Sequence, residues 1–201
     1  MKNRSGFSLF EVVLTVALFT LIIFVVASFR SNLDLLGNFV NQRLQSRQDI
    51  EQTLEIMATE VRSAGPSSLG AFAVESAGTS SFVFFSDIDR DGLFERVRYF
   101  LGTSTIRKGV IKPSGSPLVY ATSSEIITTA ASNIRSYPAS SSLFQYYDAN
   151  YTGTQPSMVF PINTSAIRLV QVSIYADINA SSTPRAEFFT QVVGIRSLRS
   201  N

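Results

Sequence analysis

Hydrophobic positions fall along this chain in three successive textures. The first is a run without charge from Val12 to Phe29. As a helix it is about 18 residues and ~27 Å long, a match to the hydrocarbon core of a bilayer. The second opens to Leu33, Leu36, Val40, Leu44, Ile50, Leu54, Met57, Val61 and Ala64. These are steps of three and four once Arg47 fills the gap, the spacing of one apolar helix face. Gly37 lies inside that stripe and weakens or bends a helix by ~1 kcal/mol relative to Ala. Gly65-Pro66 then supplies a stop, a glycine followed by a residue that does not continue a helix. The pattern predicts one helix from Phe7 to Ala64, about 58 residues and ~87 Å long. Its first half is apolar all round and its second half amphipathic.

The third texture is short β runs separated by Ser, Thr, Gly and Asn. Predicted strands are Ala71–Val74, Ser81–Phe85, Leu93–Leu101, Ile106–Ile111, Leu143–Tyr147, Ile167–Ile178 and Ala186–Leu198. The last two pair across a turn from Asn179 to Arg185. In the third, Leu93, Glu95, Val97, Tyr99 and Leu101 share one side, and Phe94, Arg96, Arg98 and Phe100 the other. Val170, Val172, Ile174 and Ala176 likewise share a face. The rest of Ser114 to Thr164 reads as loop. Strands in series without intervening helices form an antiparallel sheet. One sheet face needs cover, and the second half of the long helix supplies it, giving an α+β domain. A coiled-coil stalk is the other use of so long a helix, but it leaves the sheet bare. The organisation expected is a short leader (1–6), a membrane-spanning helix (7–29), its amphipathic continuation (30–65) and an extracytoplasmic β domain (66–201).

Composition narrows the function. The 201 residues carry 17 basic and 15 acidic side chains, no cysteine and no histidine. Lys2 and Arg4 precede the apolar run, so without them the balance is 15 against 15. No basic excess points to nucleic acid. The lack of Cys excludes disulfides, thiolate metal sites and thiol catalysis, and the lack of His removes the usual nucleophilic triads. The protein is not expected to be an enzyme. Sixteen Phe and seven Tyr are enough to build a core that no disulfide supports. Lys2 and Arg4 hold the leader in the cytoplasm, so the chain after about residue 29 faces outward. Arg196 and Arg199 read as a solvated strand edge. Tyr146, Tyr147 and Tyr151 read as sheet aromatics, with an adhesive patch as the alternative.

One ionisable group breaks the apolar opening: Glu11, after Gly6-Phe7-Ser8-Leu9-Phe10. A carboxylate at membrane depth costs several kcal/mol and is normally retained for a task. A secretory signal has its apolar stretch before the cleavage site. Here the one small-residue site, Gly6, precedes it, so a cut there keeps the apolar helix in the mature chain. This combination of basic leader, Gly, Phe, small and apolar residues, Glu and apolar run resembles the class III leader of type IV pilins and pseudopilins. Phe10 is bulkier than the aliphatic residue usual there. The resemblance implies cleavage between Gly6 and Phe7 by a prepilin peptidase and methylation of the new amino terminus at Phe7. It also implies a pilin-like fold and Glu11 as the fifth residue of the mature chain, an assembly residue. The positive amine of Phe7 then pairs with a Glu11 carboxylate in low dielectric, and a pairing between neighbouring subunits fixes axial register in a helical filament.

Further along, Met57-Ala58-Thr59-Glu60-Val61-Arg62, an Asp-rich turn, Phe144-Gln145-Tyr146-Tyr147-Asp148, Ile167-Arg168-Leu169-Val170 and Gly194-Ile195-Arg196-Ser197-Leu198 look like minor pilins and J-type minor pseudopilins. The expected role is a structural subunit of a pilus-like filament in the inner membrane. Its expected partners are the prepilin peptidase, other pilins or pseudopilins and membrane lipid. A pseudopilin of type II secretion or DNA uptake is the neighbouring alternative. From other classes come a non-polymerising anchored binding or adhesion module and an anchored enzyme.

Asp87-Ile88-Asp89-Arg90-Asp91-Gly92 carries a second chemistry. D-x-D-x-D-G sets carboxylates at loop positions 1, 3 and 5 of a calcium loop, with glycine making the turn. Position 12 wants a bidentate Glu and holds Arg98, while Glu95 at position 9 offers a further carboxylate. Two readings stand: a polar hairpin turn, and a weak calcium site of Asp87, Asp89, Asp91 and Glu95. No cofactor other than calcium is expected.

Overall fold

The computed structural model describes residues 8–135, 142–176 and 187–198. Gly6, Phe7, Arg199 and the turn expected at Asn179–Arg185 lie outside them. The architecture is α+β: one long N-terminal helix followed by antiparallel β structure. The chain forms two compact units, Met1–Gln45 and Ser46–Asn201.

Helix α1 spans Leu9–Arg62 without interruption at Gly37 and ends just before the Gly65-Pro66 stop. Among the described residues of the first unit it is the only element, and no described side chain there is buried. A stretch of 30 residues, Leu9–Asn38, is long and apolar enough to cross a membrane.

In the second unit α1 supplies Ile50, Leu54, Met57, Ala58 and Val61 to one core, joined by Ala64 just past the helix end. Eight strands complete it: β1 (Val74–Ala77), β2 (Ser81–Ser86), β3 (Glu95–Leu101), β4 (Ile106–Ile111), β5 (Ile126–Ala131), β6 (Phe144–Tyr147), β7 (Leu169–Ala176) and β8 (Glu187–Gly194). They form two sheets rather than one, ordered β1-β2-β3-β4-β5 and β6-β7-β8, with every pairing antiparallel. Between the sheets, the Phe144 N–H donates to Thr79 O (3.1 Å) and the Tyr146 hydroxyl to Gly78 O (2.9 Å).

The alternation read in the sequence sets which faces are buried. Glu95, Val97 and Tyr99 of β3 point inward, as do Val170, Val172, Ile174 and Ala176 of β7. Phe82, Phe84, Phe144 and Tyr146 are fully buried, and the Phe82 ring lies 5.0 Å from Phe84 and 5.5 Å from Tyr146. Burying rings of this size is the main favourable term in such a core. Thr53 of α1 sends its hydroxyl to within 2.7 Å of Ala130 O in β5. Deeper along the helix, Glu60 accepts from the Tyr99 hydroxyl at 2.7 Å and pairs with Lys108, so its carboxylate enters the domain with both partners in place.

Candidate functional site

Two sets of polar groups answer the expectations from sequence. The first is the start of α1. Glu11 sits in its first turn, and its N–H donates to Ser8 O at 3.0 Å. Its carboxylate has no hydrogen-bond or ion-pair partner among the described residues. Two threonines of the apolar run are satisfied within the helix. Thr15 reaches Glu11 O (3.0 Å) and Val12 O (2.8 Å), and Thr20 reaches Val16 O and Ala17 O (both 2.9 Å). Such back-bonding lets a hydroxyl reside in lipid at little cost. Glu11, at the head of that run, presents a carboxylate that no described residue pairs.

Exposed apolar surface continues past the length a bilayer needs. From Leu9 to Phe29 is ~32 Å of helix, already the thickness of the hydrocarbon core. Leu33, Leu35, Leu36, Val40 and Leu44 lie beyond it and are all exposed. The stripe predicted from Leu33 to Ala64 thus divides: Ile50, Leu54, Met57, Val61 and Ala64 are buried in the domain, and its first four members are bare.

The second set is the connection from Asp87 to Phe94, whose ends are held by the Ser86–Glu95 pair of β2 and β3. It is a hairpin connection, but not a two-residue turn. Arg90 (φ 64°) and Gly92 (φ 89°) adopt left-handed backbone, which folds the loop back on itself. Asp87 accepts from the N–H groups of Asp91 and Gly92, both at 3.1 Å. One carboxylate oxygen each from Asp87, Asp89 and Glu95 lies within 4.8 Å of the other two.

Asp91, expected as a fourth member, is not in that cluster. Its Oδ1 accepts from the Leu93 N–H at 2.8 Å, and its Oδ2 pairs with Lys112. That lysine and that N–H hold its carboxyl below the usual range. Lys112 also bonds Asp89 Oδ2 at 2.7 Å. Its ammonium pKa is raised by these two carboxylates.

Glu95 is the unusual group of the loop. Only 2% of it is exposed; its Oε2 accepts from the Ile88 N–H at 3.0 Å, and its buried Oε1 has no partner. Burial raises its pKa against the pull of the Ile88 N–H, and the charges of Asp89 and Asp91 add to the rise. Arg98, at the loop position where a closing Glu was wanted, lies on the other face of β3. There it forms a two-pronged pair with Glu125 at 2.8 and 2.6 Å.

One smaller expectation changes, and one holds. Arg196 belongs to a short 3-10 turn (Arg196–Leu198) after β8, not to a strand edge. With Arg62 and Arg168 it lines a cavity of about 550 Å³. The hydroxyl of the neighbouring Ser197 donates to Ala64 O at 2.6 Å, anchoring that turn to the end of α1. Tyr146 and Tyr147 are buried, so they are core residues rather than an adhesive surface. No model of a known protein family matches this chain, and no curated protein does.

Proposed function

We propose that the protein is a minor pilin or pseudopilin, a structural subunit that joins an inner-membrane filament through its N-terminal helix. The observation that carries this reading is the unpartnered apolar surface of α1, which runs from Leu9 through Leu44 and so outlasts a bilayer. Lipid covers the first ~30 Å of such a helix, but the turns beyond it stand in water until other helices cover them. A subunit that only needs anchoring has no use for that second stretch. A filament core of packed helices uses both.

Processing belongs to the same reading. A prepilin peptidase removes residues 1–6, and the methylated amine of Phe7 becomes the partner of a Glu11 carboxylate on a neighbouring subunit. Each charge alone is costly in a low-dielectric core, and together they offset much of that cost while fixing the axial step between helices. The contact is heterologous and does not close, so it propagates as a helix. The β domain then lies outside the core, where its loops meet neighbouring domains.

The test is Glu11→Ala in the full chain, with recruitment into filaments measured beside the thermal melt of the protein. Recruitment is expected to fall at least about tenfold while the melt is unchanged, because Glu11 belongs to the N-terminal unit and not to the core of the β domain. Undiminished recruitment would remove Glu11 from assembly, and a wild-type chain that never enters a filament would make it a non-polymerising anchored module.

A further inference from the structure

We propose that the β2–β3 loop is a calcium site in which Asp87, Asp89 and the buried Glu95 supply the protein carboxylates. The structure leaves an inner acceptor there without a donor: Glu95 Oε1 is buried and unpartnered, and the same carboxylate has an oxygen within 4.8 Å of oxygens of Asp87 and Asp89. A carboxylate oxygen buried in that state is costly unless a donor or a cation meets it. The chain's own nearby cation does not meet it. Lys112 is half exposed and spends its bonds on Asp89 Oδ2 and Asp91, at the rim of the loop.

The dimensions favour calcium. Calcium binds oxygens at about 2.3–2.6 Å, so two ligands on opposite sides of one ion stand about 4.8 Å apart. The three carboxylate oxygens are within 4.8 Å of one another and fit a single coordination sphere before any rearrangement. They offer up to six oxygens, and water on the exposed side brings the number to what calcium accepts. Asp87 and Asp89 come from the irregular loop and Glu95 from the first residue of β3, an uneven arrangement that suits calcium's loose geometry better than the strict octahedron of magnesium.

The loop thereby solves the missing closing residue in a different way. Where position 12 holds Arg98, turned away to Glu125, the inner carboxylate comes from position 9. Asp91 stays a rim residue, and with Asp89 it holds Lys112 as an internal counter-ion. Calcium draws Asp89 from Lys112, so the lysine competes with the metal and keeps the site weak, in the range of about 0.1–1 mM typical of extracellular modules.

The experiment is calcium binding to the full chain in detergent micelles after chelation, by equilibrium dialysis with radioactive calcium, alongside thermal melts with and without the ion. One ion per chain is expected, with a raised melting temperature. Asp89→Asn and Glu95→Gln are each expected to weaken binding about tenfold or more, whereas Lys112→Gln tightens it several-fold by removing the competitor. Glu95→Gln retains an acceptor for the Ile88 N–H, and Asp89 is exposed, so both variants are expected to fold; their melts without calcium check this. No binding at about 10 mM calcium, or binding that neither carboxamide variant changes, would overturn the site. Magnesium bound as tightly as calcium would overturn the assignment of the ion.

Discussion

Tyr99 and Tyr146 show how single side chains tie this domain together. Each ring is buried, and each hydroxyl has one partner: Glu60 of α1 for Tyr99, and the Gly78 carbonyl for Tyr146. Burial raises both phenol pKa values, and the neighbouring Glu60 charge raises that of Tyr99 further. The folded values lie above the unfolded value of about 10, so the stability these groups contribute is complete below that pH and is lost as pH rises past it toward the folded values. At about pH 11 the two are expected to remain neutral, and their phenolate absorbance to appear only together with loss of the far-ultraviolet dichroism. Phenolate absorbance from every tyrosine in a chain that keeps its native dichroism would contradict this placement.

Residue identity was legible where periodicity fixes a face. The inward set Glu95, Val97 and Tyr99 followed from alternation in β3. That Glu95 joins Asp87 and Asp89 was legible, but that Asp91 stands apart was not. The Asp91 carboxylate is taken by the Leu93 N–H and by Lys112, which follows β4, 21 residues away.

At the level of elements, α1 was the most readable part of the chain. An uncharged run followed by a three-and-four stripe has one physical solution, and the helix ends within two residues of the predicted stop. Strands were read less evenly. Ile126–Ala131 was taken for loop and is β5, an edge strand with its first four residues exposed. Only its end at Ala130 and Ala131 reaches the core, so its sequence carries no alternation to find. The ladder was expected as one sheet and is two, since a strand's pattern records which side is buried and not which strand lies next to it.

The split of the helical stripe yields its own expectation. The bare part should lie against other helices, so a photo-crosslinking residue at Leu36 or Val40 is expected to capture apolar N-terminal helices of neighbouring subunits in intact membranes. The same probe at Ile50, buried in its own domain, should give adducts within the chain. Only lipid or no adducts at Leu36 and Val40 would show that this surface is not an assembly face.

For the whole molecule, the division of labour follows from burial. The domain from Ser46 onward holds an aromatic core, while the described residues before it carry exposed apolar side chains. On the function proposed above, lipid covers that surface first and a bundle of like helices afterwards, and the second step begins with processing at Gly6. The most direct measurement is therefore the mass of the N-terminal peptide of the protein extracted from membranes that contain an active prepilin peptidase. A chain that starts at Phe7 and carries one added methyl group is the expected result. A chain that still begins Met1-Lys2-Asn3 would contradict the account, leaving Glu11 a boundary residue and α1 a simple anchor.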